Sequence, residues 1–198
     1  MNIESLTMIL HVKKIWKNAE TLADLIATGG FLEDISPDSL KKRGAQAVIL
    51  DHDGVLGVIR SKTPDATGTK LLHDLVNEFG KGRVFILSNT KSARTSRRDM
   101  YIRLYGDVTY LMAKRKPHPE GLTMASAFSG VSCEKIAVVD DGILTGALMA
   151  LENGAIPVYV TRRSLEENAA EKAGRLLVTL PQIAFVRLIA FLKKLTGP

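Results

Sequence analysis

The chain has 198 residues, 45% of them hydrophobic and 24% charged. That is enough for one well-buried core and short for two, and the balance is that of a globular protein. The 27 Lys and Arg against 21 Asp and Glu leave +6, which favours anionic partners such as phosphate esters, nucleic acid or an acidic membrane surface. Cys133 is the sole cysteine, so an internal disulfide and a zinc site of thiolates are excluded. The first residues place Glu4 among the apolar positions, and Lys13 and Lys14 follow them, which is the wrong order for a secretory signal. No uninterrupted apolar run approaches the ~20 residues of a membrane span. A cytoplasmic protein, at most peripheral to a membrane, is expected.

Taken in order, residues 4–28 carry a helical stripe (Leu6, Ile9, Leu10, Ile15, Trp16, Leu22, Leu25, Ile26) before Gly29-Gly30. The polar stretch from Lys17 to Thr21 predicts two short helices there. Ser36-Pro37 opens a capped helix that ends at Gly44, with Ser36 at the N-cap and Pro37 in the first turn. Ala47 to Leu50 is then an unbroken apolar run that stops at Asp51-His52-Asp53-Gly54. A strand buried on both faces reads this way, and its carboxyl end is where open α/β sheets bind ligands. A polar loop from Arg60 to Thr69 leads to a helix over 70–79 and a second buried strand over 83–87, which ends in Ser88-Asn89. The basic segment Lys91 to Arg103 opens a helix, 108–112 is a short strand, and Lys114-Arg115-Lys116-Pro117-His118 follows. A helix over 120–128, a strand over 135–139 running into Asp140-Asp141, a helix over 145–153 and a strand over 156–160 come next. A polar helix over 164–177 and a separate final helix over 181–195 close the chain.

The alternation predicts a doubly wound, mainly parallel sheet of the Rossmann-like α/β type. Four strand ends then carry distinctive groups: Asp51 and Asp53, Ser88 and Asn89, Lys116, and Asp140 and Asp141. On one sheet edge they would surround a single anion. A carboxylate can attack phosphorus, and a second can serve as acid and then base. Ser and Asn donate hydrogen bonds to phosphoryl oxygens, Lys neutralises their charge, and clustered acids hold Mg²⁺. His52 should point away from the aspartates, because successive strand residues alternate faces.

This set resembles the haloacid dehalogenase (HAD) superfamily. Asp51, Asp53 and Val55 match its first motif, Ser88 its second, Lys116 its third, and Asp140 and Asp141 its fourth. The stretch from Asp34 to Gly44, Leu87-Ser88-Asn89, Lys116-Pro117 and the Asp140-Asp141 pair before Thr145 are similar to the capless subclass IIIA branch, which contains phosphatidylglycerophosphate phosphatases. The resemblance implies a HAD-like core over 31–162, an N-terminal helical extension over 1–30, and C-terminal helices over 163–198 packed on the core or at an interface. It implies Asp51 as nucleophile and Asp53 as general acid and base. Ser88, Asn89 and Lys116 would bind phosphate, and Asp51, Asp53, Asp141 and Asp140 would surround Mg²⁺. Two positions depart from the branch. Gly54-Val55 replaces Asn-Thr, and Asp140 with Gly146 replaces a Gly with a later Asp directly after the Thr.

Only 37 residues separate Asp51 from Ser88, and 28 separate Ser88 from Lys116. Neither insert can hold a lid domain, which leaves the site open; with the resemblance, the expected substrate is phosphatidylglycerophosphate or another large anionic phosphomonoester. The alternatives are a soluble sugar or nucleotide phosphatase whose lid comes from a homo-oligomer, or a non-catalytic module on the same fold. Lys91, Arg94, Arg97, Arg98 and Arg103, with Lys114 and Arg115, either frame that anion or form a solvated face. His118 is a candidate substrate contact. Nucleic acid is not expected, since no aromatic residues interleave the basic ones. The helix over 180–195 sets Gln182, Arg187, Lys193 and Lys194 on one narrow side. It either packs on its own domain or a dimer partner, or lies on an anionic membrane, and the segment around Lys13, Lys14, Trp16 and Lys17 poses the same choice.

Overall fold

The computed structural model describes residues 3–89, 94–163 and 167–196. Its centre is a six-stranded, all-parallel sheet: β1 (Gly30–Phe31), β2 (Ala47–Leu50), β3 (Val84–Ile86), β4 (Thr109–Tyr110), β5 (Ile136–Asp140) and β6 (Ile156–Thr161). Their spatial order is β1-β6-β5-β2-β3-β4. Helices α1 (Ile3–Thr28), α2 (Pro37–Lys42), α3 (Ala66–Phe79), α4 (Arg94–Leu104), α5 (Glu120–Ser129), α6 (Leu148–Glu152) and α7 (Ala169–Thr196) surround it. This is the Rossmann-like, HAD-like α/β architecture expected, and among the described residues no separate lid domain interrupts it.

Strand β2 lies at the middle because it is apolar on both faces. Val48 and Leu50 join the core made with Leu72 and Leu75 of α3 and Tyr101 of α4. Ala47 and Ile49 join the opposite core, with Leu122 and Ala125 of α5 and Met149 of α6. Leu50 pairs with Ile86 on one side and Val139 on the other, so β2, β3 and β5 end at the same level. The groups after those strands therefore share one edge.

Local chemistry sets the element ends. Ser36 accepts from the Ser39 backbone N–H while the Ser39 hydroxyl caps Ser36, a closed capping box before α2. Asp65 accepts from the Gly68 N–H at 2.8 Å and starts α3. Arg162, at the end of β6, binds three separate segments: Glu33 Oε1 at 3.0 Å, the Val55 carbonyl at 2.6 Å and Asp65 Oδ2 at 2.9 Å. Its side chain is 3% exposed. Removing one partner of a buried pair costs about 3–5 kcal/mol, so Arg162→Met should lower the urea midpoint by a corresponding amount. The variant should also lose part of the acid sensitivity. Burial works against the Glu33 carboxylate, but its bonds to backbone and to Arg162 outweigh this and hold it below its ordinary 4.5. A depressed carboxyl stabilises the fold above that value and loses the contribution as pH falls. Equal urea midpoints for wild type and variant across pH 3–7 would show that this cluster is energetically idle.

Two expectations about helices need correction. Residues 3–28 form one helix instead of two, because Ala19 and Leu22 are fully buried and the polar Asn18 turns to Glu152 of α6 at 2.6 Å. Likewise, α7 is one 28-residue helix that runs through Pro181. It reaches a mean hydropathy of 1.7 over an 18-residue window, which makes it long and apolar enough to cross a membrane by length and composition. Counting uninterrupted apolar residues misses this, since scattered polar residues break the run without lowering the average far. Val186 and Ala190 pack inward, Val186 against the cluster that includes Leu22 and Leu148. Leu177, Leu180, Leu188, Phe191 and Leu195 are exposed.

Candidate active site

The ends of β2, β3 and β5 and the loop before α5 bring Asp51, Asp53, Asn89, Lys116 and Asp141 to one cavity of about 210 Å³. Gly142 and Thr145 complete its floor, and Arg175, Val178, Thr179 and Gln182 of α7 form its outer wall.

Asp51 is buried, and its Oδ1 lies 3.0 Å from Lys116 Nζ. Among the described residues that oxygen has no hydrogen bond. Lys116 also pairs with Asp140. Burial works against the Lys116 charge, but Asp140 and Asp51 outweigh it and hold the ammonium protonated. Burial pushes the Asp51 carboxyl up to about 7 against the pull of Lys116, and Asp140 and Asp53 add to the push. Burial, Asp140 and Asp51 likewise raise the Asp141 carboxyl well above the usual range. Asp51, Asp140 and Asp141 place carboxylate oxygens within 4.8 Å of one another. Three acids facing one ammonium, with an oxygen lacking any hydrogen bond, is a donor set that suits a hard divalent cation.

The two adjacent acids have different positions. Asp140 is buried, accepts from the Gly142 N–H at 2.6 Å and does not line the cavity, whereas Asp141 does. The glycine in each departure from the resembled branch has a steric explanation. Gly54 has φ +80°, and a Cβ there would lie 2.1 Å from Asp141 Oδ2. A Cβ on Gly146 would lie 2.2 Å from Asp140 Oδ2. Asp140 thus fills the space that a side chain at 146 would occupy.

Other candidate groups are engaged within the protein. Ser88 donates to Asp53 Oδ2 at 2.9 Å. The Asn89 amide clamps the Lys116 backbone, donating to its carbonyl at 3.1 Å and accepting from its N–H at 2.7 Å. His52 points away from the cleft as expected. Its Nδ1 meets the Tyr101 hydroxyl at 2.8 Å and its Nε2 the Ser61 hydroxyl at 3.0 Å. Burial first, then Arg97, pulls its pKa down to about 4, which leaves it neutral. His118 is exposed and accepts from the Glu120 N–H at 3.2 Å, capping α5.

The basic segment divides. Lys91 and the Arg94 side chain lie outside what is described. Arg98 pairs with its neighbour Asp99 at 2.8 Å, and Arg103, Lys114 and Arg115 are exposed. Arg97 belongs to neither a rim nor a solvated face: it is fully buried and grips Asp53 with both terminal nitrogens, at 2.6 and 2.8 Å. Its spacing from Met100 and Tyr101, three and four residues on, is the sequence signal for that inward face.

A family model described as "Mitochondrial PGP phosphatase" matches residues 9–164. A crystal structure of an uncharacterized protein from Corynebacterium glutamicum is similar at 21% identity and a TM-score of 0.47, covering 71% of this chain and 95% of that one. No curated protein matches the chain. Because the family match spans most of the chain and takes in all four strand-end groups, the chain belongs to the mitochondrial PGP phosphatase family and is a phosphatase of the HAD type.

Proposed function

We propose that this protein is a Mg²⁺-dependent phosphomonoester hydrolase that works through an aspartyl-phosphate. Its substrate in this reading is phosphatidylglycerophosphate or a similarly large anionic phosphomonoester. The observation that carries the reading is Asp51, held beside Lys116 and Asp141 in a cleft whose outer wall is α7. Asp51 attacks phosphorus as the bond to the leaving oxygen breaks, and Asp53 gives that oxygen a proton. Water then attacks the acyl phosphate, releases phosphate and returns a proton to Asp53. Lys116 holds its positive charge beside the phosphoryl oxygens throughout. Asp51 and Asp141 would hold Mg²⁺, with Asp140 behind them, and the ion would offset the negative charge of the acids and the phosphate. Asp53, whose two oxygens Arg97 holds, stands outside that cluster.

Helix α7 supports the lipid side of the reading. One of its faces lines the cleft, while Leu188 and Phe191 stand 53% and 58% exposed on another. Arg187 and Lys194 are exposed at the edge of that surface. An apolar face edged by cations is suited to the interface of an anionic bilayer.

The test compares kcat/KM on phosphatidylglycerophosphate in mixed micelles with a panel of soluble phosphate esters, alongside co-sedimentation with phosphatidylglycerol vesicles. The lipid should be preferred by more than a hundredfold. Burying a Leu or Phe side chain is worth about 1.5–3 kcal/mol, so Leu188→Glu with Phe191→Glu should weaken vesicle binding more than tenfold. The same variant should spare turnover of p-nitrophenyl phosphate. A hundredfold preference for a soluble sugar or nucleotide ester, with no vesicle binding at low salt, would replace the lipid reading with a soluble phosphatase.

A further inference from the structure

The chemistry proposed above needs Asp53 to reach the leaving oxygen, yet this residue lies beyond the end of β2. Helix α4 supplies a hold on it. Arg97 Nη2 donates to Asp53 Oδ1 at 2.6 Å and Nη1 to Oδ2 at 2.8 Å, while Nη1 also reaches Ser88 Oγ at 3.0 Å. Its remaining nitrogen, Nε, donates to the Ser61 carbonyl at 2.9 Å. One turn further along α4, Tyr101 bonds His52, the residue just before Asp53. The same helix face therefore grips two consecutive residues of the catalytic turn and the loop that follows. The Arg60 N–H closes the set on Asp53 Oδ1 at 2.7 Å.

We propose that Arg97 is a positioning residue that fixes the Asp53 carboxylate at the cleft and in register with Asp51. Stability alone does not call for this arrangement, since a buried ion pair is often no better than apolar side chains of like volume. A planar, two-pronged donor fixes both the place and the plane of a carboxylate, which a lysine cannot do. Asp53 lines the cavity with its side chain 14% exposed, while Arg97 is wholly behind it. The arginine therefore acts through Asp53 and does not touch substrate.

This inference rests on the phosphatase reading, and the experiment separates the two. kcat/KM is measured in Mg²⁺ on p-nitrophenyl phosphate and on glycerol 3-phosphate. The variants are Arg97→Met, Arg97→Lys, Asp53→Asn, and Asp53→Asn with Arg97→Met. An aryl oxygen leaves readily without a proton and an alkyl oxygen does not. General acid catalysis is worth about 10²–10⁴-fold, so Arg97→Met should lose on the order of 100-fold more on the alkyl ester than on the aryl ester. Arg97→Lys should recover part of that difference. In the Asp53→Asn background, Arg97→Met should cost nothing further. Should Arg97→Met fail to fold, Arg97→Lys still reports the alkyl-to-aryl ratio, and the double variant leaves no buried charge unpaired. Equal losses on both esters, or an undiminished loss in the Asp53→Asn background, would overturn the positioning role while hydrolysis by the wild type stood. A wild type silent on both esters and on phosphatidylglycerophosphate would overturn the phosphatase reading and this inference with it.

Discussion

Asp51→Asn should abolish phosphate release from every ester while leaving the protein folded, and without metal it should be the more stable form at neutral pH. The first outcome follows from the proposed covalent step, because an amide oxygen is too weak a nucleophile to form the acyl phosphate. The second follows from the burial of that carboxyl. In the folded protein the Asp51 carboxyl titrates near 7, against 3.8 ordinarily, chiefly because it is buried. As pH rises from about 4 to 7 the unfolded chain loses this proton while the folded chain keeps it. Fewer protons on the unfolded state means stability falls over that range. Asn carries no such penalty, and Lys116 keeps Asp140 as its partner. Metal-free Asp51→Asn should therefore gain on the order of a few kcal/mol over wild type at pH 8 and little at pH 4. Thermal melts of both proteins in chelator at these two values check the stability claim. Residual turnover approaching wild type would remove Asp51 from the nucleophile role, and a gain independent of pH would remove the burial argument.

What could be read from the sequence was whatever a strand end advertises. Ala47 to Leu50 is apolar on both faces, so it had to be a central strand, and parallel strands deliver their terminal residues to one edge. Asp51, Lys116 and Asp141 reach one cavity as that argument expects, while Ser88 is buried and turned to Asp53. Helix continuity was harder. Polar residues from Lys17 to Thr21 look like a break, but Asn18 and Lys17 have an acceptor in Glu152 on a helix more than a hundred residues away. Pro181 looks like a helix start, yet tertiary packing through Val186 and Ala190 carries α7 past it. Arg97 was hidden for a different reason. A cation within a basic run has the composition of a solvated face, and its partner Asp53 is 44 residues distant. Only the three- and four-residue spacing to Met100 and Tyr101 marks it as inward.

Gly146 should tolerate no side chain unless Asp140 gives way, and exchanging the two should restore what either change alone destroys. An added Cβ at 146 would lie 2.2 Å from Asp140 Oδ2 and 2.4 Å from its Cβ, far inside contact distance. Asp140 cannot simply swing aside, because Lys116 and the Gly142 N–H hold its two oxygens. Gly146→Ala should therefore cost about 1–3 kcal/mol of stability by overpacking. It should also lower kcat, since displacing Asp140 frees Lys116 to bind Asp51 more closely. Asp140→Gly should fail in the same sense, taking from Lys116 its Asp140 partner and leaving it to Asp51. The double variant Asp140→Gly with Gly146→Asp would refill the same space with the same charge, approached from the neighbouring turn. Residues in direct contact couple by about 0.5–3 kcal/mol. The double variant should accordingly turn over p-nitrophenyl phosphate up to about a hundredfold faster than the product of the single effects allows. Losses that multiply without recovery would show that position 146 and Asp140 do not share one carboxylate's place. Recovery would show that the charge beside Lys116 matters, and that the strand end or the turn after it can supply it.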